Sequence, residues 1–124
     1  MARPKERTYS DAEATARLKA ELPHWRLDGG FIRRTYRTQS WKGTLMVINA
    51  VGHLAEAAWH HPDIAASYSW VEVKLQNHAA KGITDKDFEL AGKIEATVQW
   101  QPGKEGGALE GTPRDERHAY IKYD

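Results

Sequence analysis

Residues 41–59 read WKGTLMVINAVGHLAEAAW, and their periodicity decides what the rest of the chain has to do. Trp41, Leu45, Ile48, Gly52, Ala55 and Trp59 recur at helical spacing on one face, with Val47, Val51, Leu54 and Ala58 on a second face beside it. This is an α-helix whose apolar arc is wider than packing on one sheet requires, so it predicts a neighbour beyond that sheet. Pro62 is expected to end it. Upstream, Trp25, Leu27 and Asp28-Gly29-Gly30 read as a strand entering a tight turn, because glycine supplies the positive φ that such turns require. Phe31, Arg33, Thr35 and Arg37 alternate with Ile32, Arg34, Tyr36 and Thr38 in the predicted return strand. Further upstream, Ser10-Asp11-Ala12-Glu13 has the form of a capping box, followed by Ala14, Leu18 and Leu22 on one helical face and stopped by Pro23.

Downstream of Pro62, the short segment 63–67 leads into Trp70-Val71-Glu72-Val73-Lys74-Leu75, which alternates as a strand does. Lys81-Gly82 reads as a turn. Thr84-x-x-Asp87 is a second capping box, opening a helix with Phe88, Ala91, Ile94 and Val98 on its inner face. The expected fold is therefore α+β: a four-stranded antiparallel sheet with three helices packed on one face. Residues 1–100 form the domain in this reading. Residues 101–124 are a Gly/Pro-rich C-terminal extension, whose closing His118 to Tyr123 stretch either adds a strand or docks on the surface.

The totals narrow the function classes. The chain has 124 residues, 40% hydrophobic and 28% charged, enough for one core without disulfide or metal support. Cysteine is absent, which removes disulfides, zinc–thiolate sites and a cysteine nucleophile, and fits a cytoplasmic setting. A net charge of +1 lacks the basic excess of a nucleic-acid binder. The N-terminal Met-Ala-Arg-Pro-Lys-Glu-Arg run is too charged for a signal peptide, and the apolar run 45–59 is too short and polar to span a bilayer.

The chemistry concentrates between Glu56 and Asp87. Glu56 and His60 are four apart, so on a continuous helix they share a face and can touch. His61 points elsewhere around the helix, and His78 follows the last strand, where loops commonly carry functional side chains. Imidazoles backed by a carboxylate can move protons near neutral pH. Zinc is the rival use of three histidines, but adjacent histidines rarely chelate one ion together and no H-E-x-x-H is present, so no metal is expected. Tyr68 and Trp70 serve equally as sheet packing or as a ligand platform, and Asp87 and Thr84 are explained as helix caps.

The order Glu56-x3-His60-His61-Pro62-x5-Tyr68-x9-His78-x8-Asp87, together with Gly82-Ile83-Thr84 and Leu90-Ala91, resembles the signature of the pterin-4a-carbinolamine dehydratase family over about residues 25–100. The resemblance implies dehydration of a 4a-hydroxy-tetrahydropterin to the quinonoid dihydropterin, as in tetrahydrobiopterin recycling, with no cofactor because pterin is the substrate. It implies His60 and His78 as general acid and base, in either direction. His61 would hold the ring, Glu56 would orient His60, and Pro62, Tyr68 and Trp59 would border the substrate. It further implies a homodimer or homotetramer, which would account for the wide apolar arc. Three positions depart from the pattern: Trp59 replaces a polar residue, Asn77 a threonine, and Ala79 an acidic residue. Those departures and the extension keep a second class open, a non-catalytic dehydratase-like interaction protein. Such proteins act as transcription coactivators or as Rubisco assembly factors in carboxysomes, and the latter would be carboxysome-associated. A third class is a general pterin-binding protein acting on molybdopterin or folate intermediates.

Overall fold

A computed structural model describes residues 6–124. In chain order the elements are α1 (Asp11–Glu21), β1 (Arg26–Asp28), β2 (Phe31–Thr38), α2 (Trp41–Ala58), β3 (Asp63–Ser67), β4 (Trp70–Leu75), α3 (Asp85–Val98), a 3-10 turn (Pro102–Lys104) and β5 (Ile121–Lys122). The chain is α+β, as its periodicities predict. Ser10 caps α1 by accepting from the Glu13 amide, and the Glu13 carboxylate returns the bond to the Ser10 amide at 3.0 Å. Gly29 and Gly30 both adopt positive φ, so a two-residue turn carries β1 back into β2 with Asp28 opposite Phe31.

The sheet is antiparallel in the order β1-β2-β4-β3, with register pairs such as Ile32↔Leu75, Tyr36↔Val71 and Asp63↔Lys74. Ile32, Tyr36, Val71, Val73 and Leu75 point to the helical side and meet Val47 and Val51 of α2 and Phe88, Ala91 and Ile94 of α3 in one core. Each of the valine, leucine, isoleucine and phenylalanine side chains contributes roughly 1.5–3 kcal/mol on burial. Val47 and Val51 of the second apolar face of α2 turn inward together with Ala55 of the first, while Trp41 and Leu45 of the first face, and Met46, remain exposed.

The sheet has a fifth strand beyond the four expected in the main domain. Ile121 pairs with Thr38 and Lys122 with Arg37, which places β5 beside β2. Ile121 is buried, and the Gln39 amide donates to the Tyr120 carbonyl at 3.0 Å. Gly43 makes this approach possible, since a Cβ there would lie 2.2 Å from the Tyr120 carbonyl oxygen. The end of the extension is thus packed into the fold, although its glycine-rich middle forms only the 3-10 turn.

Under this strand lies a buried ionic cluster. Arg34, on the core face of β2, donates through Nε to Glu95 Oε1 of α3 at 2.9 Å and pairs with Asp124 at 2.5 Å. Tyr36 donates its hydroxyl to the same Glu95 oxygen at 2.7 Å, and the Trp25 indole donates to it at 3.1 Å. Burial and the neighbouring Glu95 carboxylate push the Tyr36 hydroxyl far above its ordinary range, so it stays a donor.

Candidate active site

Helix α2 stops three residues earlier than a proline-terminated helix through His61 would. Its last residue is Ala58, and Trp59 takes the left-handed conformation at φ 52° and ψ 46°. For a residue with a Cβ this costs about 1–2 kcal/mol. Pro62 therefore does not end the helix, as expected from the sequence; the chain has already reversed, with the Trp59 amide donating to the Glu56 carbonyl and the His60 amide to the Ala55 carbonyl. This satisfies carbonyls that the helix end would otherwise leave open.

The early stop changes which carboxylate meets which histidine. On a continuous helix Glu56 would lie beside His60, but after the reversal Glu56 Oε1 is 2.7 Å from His61 Nε2. His60 turns instead toward α3, where its Nε2 lies 2.6 Å from Asp87 Oδ1. The expected Glu56–His60 pair is thus replaced by two pairs, His61–Glu56 at the surface and His60–Asp87 in the interior. Asp87 does cap α3 as its spacing predicts, with Oδ2 accepting from the Thr84 amide at 2.8 Å. The Thr84-x-x-Asp87 spacing signals only the cap, but the box occupies one carboxylate oxygen and leaves the other for His60. Burial pushes the Asp87 carboxyl above its ordinary value, and the hydrogen bonds from His60 and the Thr84 amide oppose that rise.

Around this dyad the chain adds further polar groups. Lys86 pairs with Glu6 at 2.7 Å, and the bond holds the Glu6 carboxyl below its usual range. The other Glu6 oxygen accepts from Asn77 Nδ2 at 3.0 Å. Asn77 is buried; its Oδ1 accepts from the Ala80 amide at 3.0 Å and its Nδ2 reaches Thr84 Oγ1 at 3.2 Å. This asparagine, a departure from the family pattern, therefore organises the turn that leads into α3. A groove of about 350 Å³ between α2 and α3 ends at His60; Leu54, Ala57, Ala58 and Leu90 line it, with Lys86 and Lys93 among its charged residues.

The remaining predicted residues divide by position. His78 follows β4 and is delivered to the same end of the sheet as Asp63, because Asp63 pairs with Lys74. Its ring stands edge-on to Phe31 at 6.2 Å, and among the described residues no hydrogen bond joins it to His60 or His61. Tyr68 sits in the turn between β3 and β4, at the far end of that hairpin. Five residues of extended chain separate it from Asp63, roughly 17 Å at strand rise, so this fold does not bring Tyr68 to the histidines within one chain. Pro62 connects the pair to β3, and Trp59 meets the His61 ring at 5.1 Å and 83°.

Two adjacent imidazoles each place Nε2 on a separate carboxylate, an arrangement chemically able to move protons. The carboxylate fixes one ring nitrogen and leaves Nδ1 as the nitrogen available for exchange with a ligand. Comparison with known proteins identifies the lineage of the chain. The sequence pattern described as Pterin 4 alpha carbinolamine dehydratase matches residues 7–97. A provisionally named pterin-4-alpha-carbinolamine dehydratase of Aquifex aeolicus is 41% identical over 93 residues, covering 75% of this chain and 93% of its own. One from Chloroflexus aurantiacus is 42% identical over 86 residues, covering 69% and 91%. Among solved structures, a transcriptional coactivator/pterin dehydratase from Brucella melitensis superposes with a TM-score of 0.67 at 26% identity, over 74% of this chain and 99% of that one. A pterin dehydratase-like protein described as a RuBisCO assembly factor of the alpha-carboxysome shares the fold, with a TM-score of 0.51 at 22% identity over 60% and 88% of the two chains. The chain belongs to the pterin 4 alpha carbinolamine dehydratase family.

Proposed function

We propose that the protein dehydrates a 4a-hydroxy-tetrahydropterin to the quinonoid dihydropterin, as a hydro-lyase in pterin recycling. The reading rests on one observation: adjacent histidines with separate carboxylates, His60 on Asp87 and His61 on Glu56, in a chain of this family. Elimination of water across C4a and N5 needs a proton delivered to the departing hydroxyl and a proton withdrawn from N5. Electrons are redistributed within the pterin, so the reading calls for no redox cofactor and no metal. His60, oriented by Asp87 rather than Glu56, is one proton carrier, and His78 is the other, moving in from its place beside Phe31. His61, steadied by Glu56, and Pro62 hold the substrate, and Tyr68 can border it only from a second copy of the chain. The cytoplasm, where reduced pterins circulate, is the compartment this reading places it in.

The test gives purified protein freshly generated 4a-hydroxy-tetrahydropterin and follows the ultraviolet decay. Wild type should exceed the spontaneous rate, and His60→Ala should lose about a hundredfold or more of that acceleration. Equal decay with wild type, mutant and buffer would remove the enzyme.

A second reading follows from the exposed Trp41, Leu45 and Met46 on α2, an apolar face that a soluble monomer rarely leaves open. We propose that this face packs on further copies of the chain as a homodimer or homotetramer. Sedimentation velocity should show an assembly that Leu45→Lys dissociates, and a wild-type monomer at micromolar concentration would count against it. Were the histidines inert in the decay assay, the same face becomes the surface for a dehydratase-like interaction role, as coactivator or carboxysome assembly factor.

A further inference from the structure

Trp59 joins three properties that packing does not explain together. It is 76% exposed, the most exposed of the large apolar side chains among the described residues. It occupies a left-handed position that glycine or asparagine would fill without strain. It also stands against the His61 ring at 5.1 Å with the two planes 83° apart. Strain and an exposed aromatic both run against folding stability, and residues held in sparsely populated backbone regions cluster at ligand sites.

We infer that Trp59 is a specificity-determining residue: its indole is the platform on which the planar pyrimidine ring of a pterin stacks. This deepens the proposed function and rests on it. Indole and imidazole form the two walls of a corner. A flat heterocycle lying on the indole presents its polar edge to His61, whose orientation is set by Glu56 at 2.7 Å. The left-handed backbone is what aims the indole there. Had α2 continued through residue 59, the side chain would follow the helix surface and His61 would leave Glu56. The ligand class selected is therefore flat, bicyclic and hydrogen-bonding along one edge. Such a stack contacts only the face of the ring, so the C6 substituent of the pterin is not read by this residue.

Three variants, read by kinetics and by equilibrium binding beside melting temperature and sedimentation, separate this from a structural role. Trp59→Gly relaxes the backbone, so its melting temperature should equal or exceed that of wild type. Its kcat/KM should nevertheless fall about tenfold, the loss falling on KM rather than kcat. Trp59→Phe, which keeps a smaller platform, should lie between, and Trp59→Asn should behave as the glycine variant. The second readout is equilibrium binding of 7,8-dihydrobiopterin followed by tryptophan fluorescence. Quenching should be strong in wild type and reduced in Trp59→Phe, with affinity lowered about tenfold in Trp59→Gly. Unchanged KM and unchanged affinity in the glycine variant overturn the platform. A large fall in melting temperature, or a change in sedimentation, also overturns it and makes Trp59 a packing or subunit contact. Failure of the dehydratase reading looks different: wild type binds dihydrobiopterin with quenching but shows no turnover. If wild type neither binds nor turns over, both readings fall.

Discussion

At Asp87 one carboxylate holds two parts of the molecule in place. Oδ2 closes the cap of α3 on the Thr84 amide, and Oδ1 holds His60 at the end of α2. The cap makes Asp87 rigid, and a rigid, buried acceptor fixes an imidazole far better than a solvated one. Asp87→Asn keeps an acceptor for the Thr84 amide but takes the charge from behind His60. It should lower kcat by about a hundredfold with KM within a few-fold, while the neutral acceptor weakens the cap by only about 1 kcal/mol. Kinetics beside a urea melt check this; a drop in stability with kcat untouched would leave Asp87 as a cap alone. The cap was readable from Thr84-x-x-Asp87 because a capping box is local. Its bond to His60 was not, because it spans 27 residues and depends on how α2 docks on α3. Spacing placed Glu56 beside His60 on the assumption that the helix continues, and the left-handed Trp59 removes that assumption.

At the scale of elements, α2 is the piece on which the rest is arranged. Its apolar periodicity was legible over nearly its whole length, and so was α3, since both repeat a helical pattern against one core. Strand β5 was not, because two residues after a glycine-rich tract carry no period; only its pairing with β2 defines it. The residue that admits it lies elsewhere, at Gly43, and read locally Gly43 is only a weak point in a helix. Gly43→Ala should favour the isolated helix by roughly 0.5–1 kcal/mol, yet the methyl would collide with the Tyr120 carbonyl. The collision should win, giving a net loss of about 1–3 kcal/mol. In limited proteolysis the 101–124 segment should be released from the variant faster than from wild type, with the rest of the domain still resistant. A variant more stable than wild type would mean that β5 is not held there.

For the whole molecule, the Arg34 cluster joins three layers of the chain: the sheet through Arg34 and Tyr36, the helical layer through Glu95, and the C-terminus through Asp124. Nothing local in the sequence marks it, since an arginine on the core face of β2 breaks the alternation that would have identified that face. Burial pushes Glu95 up, but hydrogen bonds from Arg34 and Tyr36 and the Arg34 charge outweigh it, so its carboxyl titrates below the ordinary value. Asp124 is likewise lowered, with burial outweighed by Arg34. A carboxylate with a folded pKa below its unfolded one binds fewer protons folded than unfolded. Its stabilisation is complete above the unfolded value and is lost as pH falls through the folded one. Wild type should therefore lose stability steadily on acidification below about pH 4.5, the unperturbed value for glutamate. Glu95→Gln keeps an acceptor oxygen and leaves the guanidinium paired with Asp124, so it should cost about 1.5–3 kcal/mol at pH 7. Because the variant no longer carries that titrating group, its urea midpoint should fall less than that of wild type between pH 5 and pH 3, at constant m-value. Parallel losses over this window would place the acid sensitivity outside the cluster, and an unchanged midpoint at neutral pH would mean that Asp124 alone suffices to hold Arg34.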